Sequence, residues 1–176
     1  MKWPSSSVLR EHALEWLRYG ALGIGVYILV SQWVHHSSGP KEGTHAAAFD
    51  LPLLGEPGRV SLAAQHGKPV LMEVFASWCS ACKRTSPRLV DLWREHQRDD
   101  VTFLAVSVDE DPAAASQIKS SWHIPFEVAL DDGTISRNYA ISMLPTLIYI
   151  DKDGTVRHAS AGITSRSEME DWLATR

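Results

Sequence analysis

The 176-residue chain has only two cysteines, and Cys79 and Cys82 stand three positions apart. A structural disulfide gains stability from the length of the loop that it closes, so a pair that closes so short a ring is a poor structural link. No second cysteine pair and no His-x(3–5)-His pattern supplies the four ligands of a closed zinc site. We therefore expect a reactive cysteine pair that uses no metal and no other cofactor.

An excess of charge of either sign is also missing. The chain holds 17 Lys and Arg against 21 Asp and Glu, which gives a net charge of −4 and an isoelectric point near 6.0. This balance gives no electrostatic case for nucleic acid as a partner. The hydrophobic fraction of 44% is ordinary for a globular protein, and the length leaves room for one compact domain with an appendage.

Hydrophobic runs long enough to cross a membrane are scarce, and the best candidate is the uncharged stretch GALGIGVYILVSQWV over residues 20–34. Tyr19 and Trp33 bracket this stretch, as aromatic residues do at the two membrane interfaces. It is short, since a perpendicular span takes roughly 20 apolar residues. We predict a single transmembrane helix over residues 19–34. A cleaved signal peptide and a buried helix of the folded domain are the alternatives.

Basic residues predict the orientation of this helix. Lys2, Arg10 and Arg18 precede it and only Lys41 follows closely, so residues 1–18 should be cytoplasmic. The rest of the chain is then exported to a compartment where disulfide chemistry is possible. We interpret the small and polar residues 35–45 as a solvated linker, and residues 46–176 as the exported domain.

Strands and helices alternate along residues 46–176, which predicts an α/β fold. Apolar runs over residues 69–75 and 101–108 predict buried strands on either side of a helix from Ser80 to about Gln97, with Pro87 inside it. This strand–helix–strand order predicts a parallel pair of strands. The remaining predictions are a helix over 112–121, a strand over 126–130, a short helix over 135–139, a hairpin of 145–150 and 155–161, and a C-terminal helix from about Ser165. The sum is a mixed sheet with helices on both faces.

The first cysteine falls where a buried strand gives way to a helix. Unpaired N–H groups and the positive end of the helix dipole favour a thiolate there, which predicts Cys79 as the nucleophile. Cys82 lies one turn further on and can resolve the mixed disulfide that Cys79 forms with a substrate.

Several motifs then resemble the thioredoxin superfamily. They occur in the family's order: EVFASWCSAC over residues 73–82, Pro87, the run Met143-Leu144-Pro145-Thr146, and Gly162. Within the superfamily, the chain is similar to the membrane-tethered TlpA/ResA/DsbE group of bacterial periplasmic proteins. That narrower likeness rests on Phe49-Asp50-Leu51-Pro52 and on an extra helix and strand over residues 111–130. The resemblance implies a thioredoxin-like fold.

It also implies roles for the residues around the cysteines. Glu73, on a buried strand, would relay a proton to or from Cys82; a strand-edge glutamate facing solvent is the alternative. A cis Leu144–Pro145 bond would let the Leu144 backbone pair with an extended substrate chain; an ordinary turn proline is the alternative. Trp78 would line the substrate-binding rim beside Leu144 and Pro145, unless it is a core residue.

The resemblance implies a reductase of disulfides in exported proteins, acting for some relatives on apocytochrome c. It would lie in the bacterial inner membrane with its C-terminal domain in the periplasm, and a transmembrane electron donor of the DsbD/CcdA type would keep it reduced. A disulfide-forming oxidase is the close alternative. A copper chaperone using His158 and a purely structural role are two others. Two positions depart from the family pattern, since Thr85 replaces a frequent glutamate and Ala105 replaces a lysine found in some thioredoxins.

Overall fold

The computed structural model describes residues 19–27, 39–96 and 101–174. It divides into two units, Met1–Ser37 and Ser38–Arg176. Within the first unit, residues 19–27 are helical. Across the described ranges, no helix combines the length and the apolar character that a membrane crossing requires. The predicted transmembrane helix extends to residue 34 and thus beyond the described residues, so it stays a prediction.

The described residues of the second unit form seven strands, four α-helices and a short 3-10 helix at Ala63–Gln65. The strands are β1 (Asp50–Pro52), β2 (Arg59–Ser61), β3 (Val70–Phe75), β4 (Thr102–Ser107), β5 (Glu127–Leu130), β6 (Thr146–Ile150) and β7 (Val156–Ala161). The helices are α1 (Cys82–His96), α2 (Pro112–Ser121), α3 (Thr134–Asn138) and α4 (Arg166–Ala174). Strands β3 to β7 form one sheet in the order β5-β4-β3-β6-β7. The β3–β4 and β4–β5 pairs are parallel, whereas β6 is antiparallel to β3 and β7, which confirms the mixed sheet.

Strand β3 is the centre of this sheet, and every one of its residues is buried. Successive side chains of a strand point to opposite faces, so β3 contributes to two apolar clusters. Leu71 and Phe75 belong to the cluster that includes α1, α2 and α4, and Met72 and Val74 to the cluster that includes α3. The predicted arrangement of helices on both faces is therefore correct.

Helices α1 and α4 begin slightly later in the structure than predicted. Helix α1 begins at Cys82 rather than Ser80, because Ser80 and Ala81 form a turn. Helix α4 begins at Arg166, and the Ser165 hydroxyl accepts a hydrogen bond of 3.2 Å from the Glu168 N–H. Ser165 is thus the N-cap residue, just outside the helix that it stabilises.

Residues 39–45 of the predicted linker hydrogen-bond to the folded domain, although residues 41–45 are exposed to solvent. The Gly43 N–H donates to the Val156 carbonyl over 2.8 Å, and the Val156 N–H donates to the Thr44 carbonyl over 2.9 Å. This segment therefore lies along β7 at the margin of the sheet. Backbone hydrogen bonds hold it there without apolar side chains, so its composition predicted a linker. Residues 35–38 of the predicted linker lie outside the described part of the chain.

Strands β1 and β2 are absent from the sequence-based prediction. Each has three residues, too few for an alternating pattern to register. The chain continues from β1 to the opposite margin of the main sheet, where the Leu54 N–H donates to the Val128 carbonyl over 2.7 Å. The first residues of the domain therefore cover parts of both outer strands, β7 and β5.

Candidate active site

Cys79 and Cys82 form a disulfide between the end of β3 and the start of α1. The Cys82 N–H donates to Cys79 Sγ over 3.1 Å, so a backbone donor at the start of α1 is directed at this sulfur. Cys79 is 6% exposed and Cys82 is fully buried. Cys79 is accordingly the sulfur that a second molecule can reach more easily, and the same N–H would favour its thiolate after reduction.

A shallow groove of about 360 Å³ adjoins the disulfide. Its lining residues come from the cysteine turn and from the loop before β6 and are Trp78, Cys79, Ser80, Ala81, Ser142, Met143 and Leu144. None of these side chains carries a charge. Trp78 is 72% exposed at the rim, so the alternative of a core tryptophan is wrong. The groove presents apolar surface next to the more accessible sulfur.

The pairing of β3 with β6 brings Leu144 and Pro145 to the cysteines. Val74 of β3 lies opposite Thr146 of β6, so the residues just before β6 meet the residues just after β3. The Leu144–Pro145 peptide bond is cis, as the family resemblance implies. The Pro145 carbonyl accepts a hydrogen bond of 2.7 Å from the N–H of Gly162, whose φ of +94° favours glycine.

Glu73 lies in the middle of β3 with 1% of its surface exposed. The alternative of a solvent-facing glutamate is therefore wrong. Burial removes water from the carboxylate and raises the pKa of Glu73 from its ordinary 4.5 to about 8, while a hydrogen bond from Ser86 partly opposes this shift. The Ser86 hydroxyl, on α1, donates to Glu73 Oε1 over 2.9 Å. Ser86 did not figure among the predicted site residues, although its spacing of four from Cys82 places both on one helix face.

Asp109 is a second residue that the sequence-based prediction missed. Its carboxylate accepts hydrogen bonds from the Ser77 N–H at 2.9 Å, the Ser77 hydroxyl at 2.7 Å and the Ser107 hydroxyl at 2.8 Å. Asp109 follows β4, the parallel neighbour of β3, and so reaches the turn that carries Trp78 and Cys79. The sequence does contain one indication of Asp109, because it is a carboxylate that comes shortly after the second predicted parallel strand. The carboxyl ends of neighbouring parallel strands lie at the same edge of the sheet, so such a residue can reach the cysteine turn.

His158 takes no part in this site. Its ring stacks against those of Trp172 and Tyr149, with centroids 5.3 and 6.3 Å away. It lies opposite Tyr149, four residues beyond Pro145, which is about 13 Å along a strand. Among the residues that the structure describes, no three His, Cys, Asp or Glu side chains are grouped so as to hold a metal. For the copper-chaperone alternative, the described residues therefore supply no third ligand at the cysteine pair.

Comparison with known proteins agrees with this geometry. Residues 43–159 match the AhpC/TSA family. The chain belongs to the AhpC/TSA family. Thiol-disulfide oxidoreductase ResA of Bacillus cereus is 29% identical over 134 residues, covering 76% of this chain and 75% of that protein. Thiol:disulfide interchange protein DsbE of Pseudomonas aeruginosa is 28% identical over 156 residues, covering 86% of this chain and 84% of that protein.

A similar fold is found in a solved structure from Chlorobium tepidum, that of a protein described as thiol:disulfide interchange protein DsbE. It aligns with a TM-score of 0.71 at 25% identity and covers 77% of this chain and 97% of that one. The predicted thioredoxin-like fold and family resemblance are thereby confirmed. The predicted enzyme class, a thiol–disulfide oxidoreductase, is confirmed as well.

Burial of the Glu73 carboxyl makes the stability of the fold depend on pH. The Glu73 carboxyl has an ordinary pKa of 4.5, which applies to the unfolded chain, and a pKa of about 8 in the fold. The folded protein therefore binds this proton more tightly than the unfolded chain does. The stabilisation that comes from this tighter proton binding is fully present at low pH. As the pH rises towards about 8 it is lost, and the free energy of unfolding falls by up to about 1.4 kcal/mol per pH unit. We expect Glu73→Gln to remove this decline in urea denaturation of the oxidised protein.

The matched control is Glu127→Gln, which changes an exposed glutamate on β5. It should keep the wild-type decline of the free energy of unfolding with pH. Equal declines in Glu73→Gln and the wild type would contradict the assignment of the raised pKa to Glu73.

Proposed function

We propose that this chain is a membrane-tethered reductase of disulfides in exported proteins. Its reduced Cys79 and Cys82 would supply the electrons, and an electron donor of the DsbD/CcdA type would restore the reduced pair. The domain would work in the periplasm of a bacterium, held at the inner membrane by a single N-terminal helix. Exported c-type apocytochromes are one substrate class in this proposal, because their paired cysteines bind haem in the thiol form.

The uncharged lining of the groove supports the reducing direction. A strongly oxidising pair requires that its reduced form be stabilised, as in DsbA. Here the residues between the cysteines are Ser80 and Ala81, and no lining side chain offers a positive charge to a Cys79 thiolate. The Cys82 N–H is left as the stabilising donor at this sulfur. This modest stabilisation favours a pair that readily gives up its electrons.

The reaction then follows from the positions of the two sulfurs. The Cys79 thiolate attacks one sulfur of the substrate disulfide, and the other substrate sulfur leaves as a thiolate. Cys82 passes its proton to the Glu73 carboxylate and attacks Cys79 Sγ, which releases the second substrate sulfur. Two electrons pass to the substrate, which ends as a dithiol, and the protein ends with the Cys79–Cys82 disulfide. Solvent protons complete the substrate thiols.

The groove would hold the substrate as an extended chain. A strand laid beside Leu144 would use the backbone groups next to the cis Leu144–Pro145 bond, as in strand addition. Trp78, exposed at the rim, would cover the apolar side chains of that strand. Since main-chain groups carry most of this contact, the proposal allows several exported proteins as substrates.

The reduction potential of the full chain tests the direction. We expect a value close to that of thioredoxin, about −270 mV, from equilibration with glutathione. A value near that of DsbA, about −120 mV, would overturn the reductase proposal in favour of the oxidase.

The order of the two sulfurs predicts which variant retains substrates. Cys82→Ala cannot resolve the mixed disulfide, so in cells it should accumulate exported proteins joined to Cys79. Non-reducing electrophoresis with mass spectrometry would identify them. The matched control, Cys79→Ser, should retain none. Equal trapping by both variants, or none by either, would contradict attack by Cys79.

The tether is supported by the uncharged run over residues 20–34 and by the helical conformation of residues 19–27. We expect the full chain to stay in the membrane fraction after alkaline carbonate washing. Ile24→Lys should release it, because a charge within a span costs about 3 kcal/mol, whereas Ile24→Leu should not. A wild-type chain that washes off would contradict the anchor.

A further inference from the structure

We propose that Ser86 is a positioning residue for the redox reaction, whose hydroxyl holds the Glu73 carboxylate beneath α1 as the proton acceptor for Cys82. The inference rests on the proposed role of Glu73 in proton transfer. It adds a residue of α1 that neither the cysteine motif nor the family resemblance points to.

The placement of Glu73 under α1 follows from the alternation along β3. Glu73 points to the same face as Leu71 and Phe75, which pack in the cluster that contains Cys82. In α1, Cys82, Ser86 and Leu89 follow the spacing of one helix face, and all three are buried. Side chains four residues apart on a helix have Cβ atoms about 5–6 Å from each other. The Ser86 hydroxyl thus holds Glu73 Oε1 one turn from the resolving cysteine.

Ser86 is the side chain that counters the burial of this carboxylate. The neighbours of Glu73 across the sheet are Ala105 on β4 and Leu147 on β6, and both are apolar and fully buried. Within the described part of the chain, no charged group contributes to the pKa shift of Glu73; burial raises that pKa and the Ser86 hydrogen bond lowers it. The packed face of α4 presents Met169, Trp172 and Leu173, which do not titrate in this range.

The direction of the effect follows from the donor. A hydroxyl that donates to a carboxylate stabilises its charged form, which is the form that can accept a proton. Without Ser86, more of the Glu73 carboxyl would stay protonated near neutral pH. Deprotonation of Cys82 would then slow down, whereas the earlier attack by Cys79 would be unaffected.

The test separates these two steps in the full chain with the aromatic disulfide dithiobis(nitrobenzoate). The reduced protein releases one thionitrobenzoate when Cys79 attacks and a second when Cys82 resolves the mixed disulfide. We expect Ser86→Ala to raise the midpoint of the pH profile of the second release by about one unit. Near pH 7 the second release should slow about tenfold, and the first should keep its rate.

The matched control removes a hydroxyl from the neighbouring position of the same buried turn. Thr85 is fully buried, and its hydroxyl has no hydrogen-bond partner among the residues that the structure describes. Thr85→Val keeps the shape of this side chain and should keep the wild-type profile. A shift in Thr85→Val as large as that in Ser86→Ala would overturn the inference, because a general change in the helix would explain both.

Glu73→Gln distinguishes failure of the inference from failure of the proposed function. If Glu73→Gln removes the pH dependence of the second release while Ser86→Ala matches the wild type, the role of Ser86 is wrong and the proton relay by Glu73 stands. If Glu73→Gln keeps the wild-type pH profile, both the role of Ser86 and the proton relay are wrong. Should Ser86→Ala not fold, Ser86→Gly also removes the hydroxyl without adding a thiol and should raise the midpoint in the same direction. An unchanged midpoint in that variant would overturn the inference.

Discussion

The pairing of β3 with β4 on one side and β6 on the other is the constraint on which the active site depends. Parallel pairing with β4 brings Asp109 to the turn before Cys79. Antiparallel pairing with β6 brings the cis Leu144–Pro145 bond to the same end of the sheet. A slip of either pair by one residue would turn every β3 side chain to the opposite face. Glu73 would then leave the cysteine helix, so the register determines the chemistry as well as the core.

The central strand also carries a conflict between stability and chemistry. An apolar residue at position 73 would suit a strand that is buried on both faces. Glu73 instead loses hydration there, and its raised pKa means that charging it near neutral pH weakens the fold. The benefit is a carboxyl group able to exchange a proton near neutral pH. The Ser86 hydroxyl moderates this conflict without bringing a second charge into the core.

Local patterns predicted the parts of the fold that local forces determine. The α2 boundaries, Pro112 to Ser121, were predicted from a proline at the first turn, and they agree with the structure, in which the Asp111 side chain caps the helix. The burial of β3 followed from its continuous apolar run. In contrast, Asp109 and Ser86 act through contacts made 32 and 13 residues away, which no periodicity records. The segment 39–45 likewise lies along β7 because of backbone hydrogen bonds, which amino-acid composition does not reveal.

That segment has a practical consequence for how the domain can be isolated. A fragment starting at residue 46 would contain each proposed site residue, yet it would leave the outer backbone groups of Val156 without the Gly43 and Thr44 partners. An uncovered strand of this kind is a template for another chain, and fragments could stack through it. Trimming should therefore stop before Gly39. The polar residues of this segment thus satisfy backbone groups at the margin of the sheet that a shorter fragment would leave open.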